Sequence, residues 1–359
     1  MIEMPTPTDH TLQTVAAQLG IGDCSTYECR PLDVDVEAPG TAGLWRARLN
    51  GDRGEGTAVV KLLRHPRDWP ILAQLPPDAQ AMFIHQFPWS DDPEVVCEVA
   101  DLCPAGLRTV GLLATQWHGE SLRSMWLEDL GEVRTFTAAT EFVTAARLLG
   151  ALAARRDSAG SPLSERFDDS FALTMIARNR VQGGDLPLLG GPLRDVSEDV
   201  MPTDLGDDLR WVGEHLDEVL DRVLQVRHTP VHGDAAPDNV VVDPVDWEAV
   251  VLIDLALTPR HALGYDLGQL IFGRHSPVVG MGAGVIDSIV AAYLLGLHDE
   301  GMAVDLEEVW LGFVGSALIR NAFEVTTATT DRPTKIAAAR YLVRRAIDLG
   351  LIPVRTPVG

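Results

Sequence analysis

Lysine is nearly missing from this chain: Lys61 and Lys335 are the only two among 29 basic residues, and arginine supplies the rest. Asparagine is almost as scarce, at Asn50, Asn179, Asn239 and Asn321. Where a residue type is so rarely used, each occurrence carries more information than usual. The four cysteines, Cys24, Cys29, Cys97 and Cys103, show neither paired CxxC spacing nor a histidine-rich context. That argues against a disulfide framework or a zinc site and sets a reducing cytoplasm as the expectation. Basic residues are outnumbered by 52 acidic ones, for a formal charge of −23. That argues against a nucleic-acid partner, because phosphate backbones need Lys and Arg to neutralise them. The same charge suits a cationic small substrate, or serves only to solvate the surface. No membrane span is expected: the most apolar stretch, 277–297, carries Asp287 and four glycines and reads as a loop leading into a core helix. The start, Met1-Ile-Glu-Met-Pro5, lacks the basic and apolar regions of a signal peptide.

What is present is an ordinary globular composition, 46% hydrophobic and 23% charged, in 359 residues. Residues 27–64 read as strands: Asp33-Val-Asp-Val36 alternates with period two, Leu44-Trp-Arg-Ala-Arg-Leu49 follows, and Thr57-Ala-Val-Val-Lys-Leu-Leu63 closes the run. Turn-forming Pro39-Gly-Thr-Ala-Gly43 and Gly51-Asp-Arg-Gly-Glu-Gly56 lie between them. A helical stretch spans about 77–103, and strand-like segments return at 109–117 and 121–128. Helical spacing of apolar residues then runs through 138–154, 205–226, 285–297, 305–325 and 335–349. A strand-rich island from Pro230 to Leu255 interrupts these helices, and 182–208 reads as a long loop. The expected layout is α+β: a small β-rich N-terminal lobe over 1–128 and a large mainly helical lobe over 129–359, carrying a hairpin.

The hairpin holds the chemistry. It reads Val231-His232-Gly233-Asp234-Ala-Ala-Pro237-Asp-Asn239, followed by the apolar strand that ends in Ile253-Asp254. Asp234 and Asn239 have the spacing of a kinase catalytic loop, where Asp accepts the hydroxyl proton and Asn holds magnesium. Asp254, ending the next apolar strand, completes a metal site of hard oxygen donors. Turns favour Asp and Asn in any case, but the whole constellation is more specific than any member. Lys61 lies inside an apolar strand, where a bare ammonium is costly unless paired. It fits the strand lysine that holds the α- and β-phosphates.

These residues resemble the aminoglycoside-phosphotransferase family, a branch of the protein-kinase-like fold, over nearly the whole chain. His232-Gly233-Asp234, Asn239 and Ile253-Asp254 match its HGD, Asn and ID residues, and Gly264-Tyr265-Asp266-Leu267 resembles the Asp-Leu that buttresses the metal loop. The resemblance implies ATP and Mg²⁺ as cofactors, with Asp234 as catalytic base and Asn239 and Asp254 on the metal. It also implies a hinge at Ser124–Asp129 that receives adenine near Leu127 and Glu128, and a phosphate-covering loop with Gly40 and Gly43. A helix glutamate should pair with Lys61; Glu94 is the choice and Glu98 the rival, in an amphipathic stretch with Val95, Val99 and Leu102. Two departures stand out. Ala236 takes a position where relatives often carry His and protein kinases Lys, and Leu255 replaces an aromatic. The twelve residues from Asp254 to Asp266 leave no room for the activation loop on which peptide substrates dock.

The expected activity is transfer of the ATP γ-phosphate to a hydroxyl of a small polar acceptor, an aminoglycoside-like or other antibiotic or an amino alcohol. The alternatives are a nucleotide-binding pseudokinase or a kinase of a neutral sugar or nucleoside. A cationic acceptor would find partners in acids such as Glu324 and Asp331. Gly280-Met-Gly-Ala-Gly284 reads as a helix-start loop, and His118, His261, His275 and His298 have no ligand spacing. Oligomeric state is left open.

Overall fold

The computed structural model describes residues 3–32, 38–75, 77–160, 163, 173–174, 177, 201–255, 259–326 and 331–355. The strand expected at 33–36 and most of the loop expected at 182–208 lie outside them.

The N-terminal part begins with helix α1 (Asp9–Gln18), capped by the Thr8 hydroxyl, which accepts from the Thr11 N–H. Strands β1 (Cys24–Pro31), β2 (Thr41–Gly51) and β3 (Gly54–Arg64) follow as an antiparallel meander. Alternation along β3 decides what comes later. Ala58, Val60 and Leu62 point to a small core shared with Leu12, Val15 and Trp126 under α1. The intervening Lys61 and Leu63 therefore face the other side of the sheet, toward the larger core. Helices α2 (Pro77–Gln86) and α3 (Asp92–Leu102) come next; α3 buries Val95, Val96 and Val99.

The segment expected as one strand over 109–117 splits at Val110-Gly111. Strand β4 (Leu107–Thr109) leaves the first sheet, and β5 (Leu112–Trp117) and β6 (Leu122–Glu128) complete it in the order β1-β2-β3-β6-β5. The larger part starts with helix α4 (Ala139–Ala159), which ends on left-handed Gly160. Helices α5 (Thr203–Glu214) and α6 (Leu216–Gln225) divide the expected 205–226 helix at His215. Short strands β7 (His228–Pro230), β8 (Val240–Val242), β9 (Val250–Leu252) and β10 (Arg260–Ala262) form the island. Strand β4 pairs parallel with β9, and β8 antiparallel with it, while β10 pairs with β7.

The chain closes with α7 (Tyr265–Phe272), α8 (Val278–Met281), α9 (Ala283–Asp299), α10 (Leu306–Arg320), a 3-10 turn over Ala322–Thr326, and α11 (Arg332–Asp348). The segment expected as a helix-start loop over 280–284 is instead a one-residue break: Gly280 and Met281 end α8, Ala283 and Gly284 begin α9, and only Gly282 between them, at a φ of 98°, is non-helical. Helices α4 and α9 cross in backbone contact. A Cβ on Gly150 would lie 2.2 Å from the Tyr293 carbonyl oxygen and one on Gly296 2.0 Å from that of Arg147, so neither position tolerates a side chain. Among the described residues no helix is long and apolar enough to cross a membrane.

Candidate active site

The loop that carries Asp234 leaves β7 through Gly233, whose φ of 86° suits glycine. Asp266, at the first turn of α7 and almost wholly buried, accepts the N–H groups of His232 (2.8 Å) and Gly233 (3.0 Å). Burial pushes its carboxyl up, while the two N–H donors pull it back. The Nδ1 of His232 accepts from the Asp234 N–H at 3.3 Å, so the ring proton sits on Nε2, which donates to the Ile253 carbonyl at 3.1 Å. His232 thus ties the loop to the end of β9.

Asn239 closes the turn. Its Nδ2 donates to the Asp234 carbonyl (2.9 Å) and carboxylate Oδ2 (3.0 Å), and its own carbonyl accepts the Ile253 N–H at 3.0 Å. Asp254 follows with φ of 56°, a left-handed conformation that is strained for a residue with a side chain. Strain at this residue aims its half-exposed carboxylate at Lys61 Nζ, 2.5 Å away. Lys61 holds Asp254 well below the usual carboxylate range, against burial.

Lys61 has a second partner, and it is neither glutamate expected. Asp92 Oδ2 lies 2.7 Å from Nζ, with both side chains buried. Burial pulls the ammonium down, but Asp254 and Asp92 together outweigh it and raise Lys61 above its ordinary value. Glu94 instead takes both terminal nitrogens of Arg123 on β6 at 2.7 Å, and Glu98 meets buried Arg156 at 3.3 Å. The reason is helical phase. Asp92 stands three, four and seven residues before Val95, Val96 and Val99, on the buried face, whereas Glu94 is turned toward β6. That spacing was the available signal, obscured because Asp92 precedes Pro93 and reads as a helix start.

The hinge and loop positions are more tightly engaged than expected. The Glu128 N–H donates to the Gly111 carbonyl (2.8 Å), so it is not a free donor for adenine. The Glu128 carboxylate grips Arg108, which also pairs with Asp243 at the end of β8 and so joins the two sheets. Leu127 pairs with Val59 and Leu112 in mid-sheet. Gly40 is fastened by the Arg64 N–H, and Arg64's guanidinium reaches the Pro39 and Ala38 carbonyls. A Cβ on Gly40 would meet the Phe87 ring at 2.8 Å, and one on Gly43 the Trp45 ring at 2.4 Å. Packing alone thus accounts for both glycines.

Arg320, at the end of α10, escaped the sequence reading. Its Nη2 donates to Asp234 Oδ1 at 2.8 Å; its Nη1 donates to the Gly233 carbonyl (2.6 Å) and the Tyr265 hydroxyl (2.7 Å). Nothing local marks it, since 86 residues separate it from Asp234. The expected acceptor acids are also engaged. Glu324 holds Lys335 at 2.5 Å, and Lys335 reaches on to the Phe272 carbonyl. Asp331 begins α11, accepting from the Thr334 hydroxyl at 2.7 Å.

No family model and no curated protein matches the chain. Solved structures do. An aminoglycoside-3'-phosphotransferase of type VIII is 19% identical, over 85% of this chain and 98% of its own, at TM-score 0.44. An aminoglycoside phosphotransferase from Alicyclobacillus acidocaldarius is 12% identical, over 97% and 95%, at 0.47. A choline/ethanolamine kinase family protein from Mesorhizobium loti is 13% identical, over 82% and 88%, at 0.46.

Among the described residues no group of three His, Cys, Asp or Glu side chains is placed to hold an ion. Magnesium does not require one; it keeps several waters and takes one or two protein oxygens together with substrate phosphates. Asn239 turns its Nδ2 toward Asp234, which leaves Oδ1 as its free face, and Asp254 offers a half-exposed carboxylate. Two hard oxygens on linked strand ends fit that ion.

Proposed function

We propose that this protein is an ATP- and magnesium-dependent O-phosphotransferase acting on a hydroxyl of a small polar molecule, with residues 1–128 holding the nucleotide and 129–359 the acceptor. One geometric relation carries the reading: Asn239 fastens Asp234, and Asp254, coupled to Asn239 through Ile253, is gripped by Lys61 from the opposite sheet. That arrangement supports reading Asp234 as base, Asn239 and Asp254 as metal ligands and Lys61 as the phosphate-binding cation.

In the proposed step the acceptor oxygen attacks the γ-phosphorus of ATP, and the bond from that phosphorus to the β–γ bridging oxygen breaks, with its electron pair leaving on ADP. The acceptor's proton passes to Asp234, whose carboxylate is 38% exposed and so open to an incoming hydroxyl. Magnesium, when bound by Asn239 and Asp254, supplies charge neutralisation on the phosphates. Lys61 exchanges its Asp254 contact for phosphate oxygens while keeping Asp92.

Aminoglycoside-like compounds, other antibiotics and amino alcohols are the first acceptors to test, since the charge of −23 concentrates cations. The ion pair between Glu324 and Lys335 favours a second class, neutral sugars and nucleosides, because that acid already has its ammonium. The test is release of ADP from Mg-ATP with each compound class, with the phosphorylated product identified by mass spectrometry. Nucleotide binding without transfer to any acceptor or to water would leave the pseudokinase reading in its place.

A further inference from the structure

A carboxylate base on a surface loop turns about two side-chain torsions unless something holds it. At Asp234 both oxygens are held. Asn239 takes Oδ2, and the guanidinium of Arg320 takes Oδ1 from a different helix. Arg320 is itself locked. Its second terminal nitrogen bonds the Gly233 carbonyl, one residue before the base, and the Tyr265 hydroxyl. Its Cζ lies 5.6 Å from the centroid of the Tyr265 ring, and that ring stacks on His261 at 3.9 Å and 9°. The chain end of α10 is thus fixed against the loop by hydrogen bonds to a tyrosine that is itself held by stacking. The loop from Val231 to Asn239 carries no lysine or arginine of its own.

We propose that Arg320 is the positioning residue of the base: it sets the orientation of the Asp234 carboxylate and keeps its charge compensated from outside the catalytic loop. The inference rests on the phosphotransferase reading, with Asp234 as the proton acceptor. A planar fork bonded to both the residue's carboxylate and the preceding carbonyl fixes direction in a way that a point charge does not. Of the carboxylate's lone pairs, two are taken by Arg320 and Asn239, and the open edge is left for the acceptor hydroxyl. Lysine at 320 would restore the charge but not the fork. Tyr265→Phe would keep the stacking surface and remove only the hydroxyl that steers the guanidinium.

The test uses the full chain and two independent readouts. The first is steady-state Mg-ATP turnover, with water as the acceptor or a productive acceptor once one is identified. Arg320→Met should lower kcat by roughly 10- to 100-fold, the scale of a misplaced reacting group, with KM for ATP within about twofold of the parent. Arg320→Lys should recover only part of the loss, Tyr265→Phe should lose several-fold, and added methylguanidine should partly rescue Arg320→Ala. The second readout needs no turnover: carbodiimide labelling of Asp234, mapped by peptide mass spectrometry, should rise several-fold in Arg320→Met. Unchanged labelling together with parental kcat in Arg320→Met overturns the inference while leaving the phosphotransferase reading intact. A parent protein that binds no Mg-ATP sinks that reading instead. If Arg320→Met does not fold, Arg320→Lys and Tyr265→Phe decide, and parental kcat in both overturns the proposal.

Discussion

Asp92 places its Oδ2 2.7 Å from Lys61 Nζ, at a point where β3 and the first turn of α3 exclude water from both side chains. The position one residue before Pro93 suits an acid electrostatically as well, since a helix start attracts negative charge. Both members of this pair are buried, whereas the second partner of Lys61, Asp254, is half-exposed.

Breaking the buried pair should therefore be costly. Asp92→Asn leaves Lys61 with Asp254 alone and should destabilise the chain by about 1.5–3 kcal/mol, the range for losing a hydrogen bond to a charged group. Glu94→Gln, which loses a contact to Arg123 from a half-exposed side chain, should cost under about 1 kcal/mol. Urea unfolding of both variants checks this, and equal destabilisation would restore the glutamate assignment. Lys61→Met should lower kcat/KM for ATP and also stability, because Asp92 is left uncompensated; Asp92→Asn in the same chain should recover part of the stability.

The proposed base and the proposed metal ligands should separate kinetically. Asp234→Ala should leave ATP affinity nearly unchanged and reduce turnover by roughly 10²–10⁴-fold, the usual general-base contribution. Asp254→Ala should abolish productive ATP binding at ordinary magnesium levels, and Asn239→Ala should be partly rescued by excess magnesium or manganese. Calorimetric ATP titration with and without metal measures both. Equal affinity in the parent under the two conditions would count against the scheme.

Much of this was legible before the fold was seen, and for definite reasons. Strand alternation around Lys61 and helical spacing from Thr137 onward follow from which side chains must leave water. Asp234, Asn239 and Asp254 stand close in sequence, and the chemistry names their types. The rest depends on contacts between distant segments. Arg320 meets Asp234 only after α10 packs on α7, and β4 leaves the first sheet because its partner, β9, lies 143 residues further on in the pairing of Leu107 with Val250. Glu324 read as an open acid because Lys335, one turn into the next helix, is brought back to it only by the fold.

The Arg108 bridge between the sheets should show in acid. Its hydrogen bond holds the Asp243 carboxyl down at about 2, aided by the N–H groups of Val245 and Asp246 and opposed by burial. A carboxyl whose folded value is depressed stabilises the fold above its unfolded value of 3.8, and that contribution is lost as pH falls through about 2. Arg108→Met should remove about 1–2 kcal/mol at neutral pH and move the acid-unfolding midpoint upward. An unchanged midpoint would mean that the bridge contributes nothing to folding.

His261 should act over a higher pH window. It is buried against Tyr265, and burial, then Arg320 and His228, pull its value from 6.5 to about 3. The sign follows from which state takes the proton. Below about pH 6.5 the unfolded chain protonates this imidazole while the folded chain does not until about pH 3, so stability is complete above 6.5 and declines as pH falls toward 3. The slope is about 1.4 kcal/mol per pH unit, or roughly 2 kcal/mol lost by pH 5. His261→Phe keeps a ring against Tyr265 and removes the titration. Its urea-unfolding free energy, measured from pH 7.5 to 5, should fall less steeply than that of the parent by about that amount. All other groups titrate in both proteins, so the difference isolates this one. Parallel slopes would show that His261 gains its proton in the folded state, and would place a cation, instead of a neutral ring, beneath Tyr265 and Arg320.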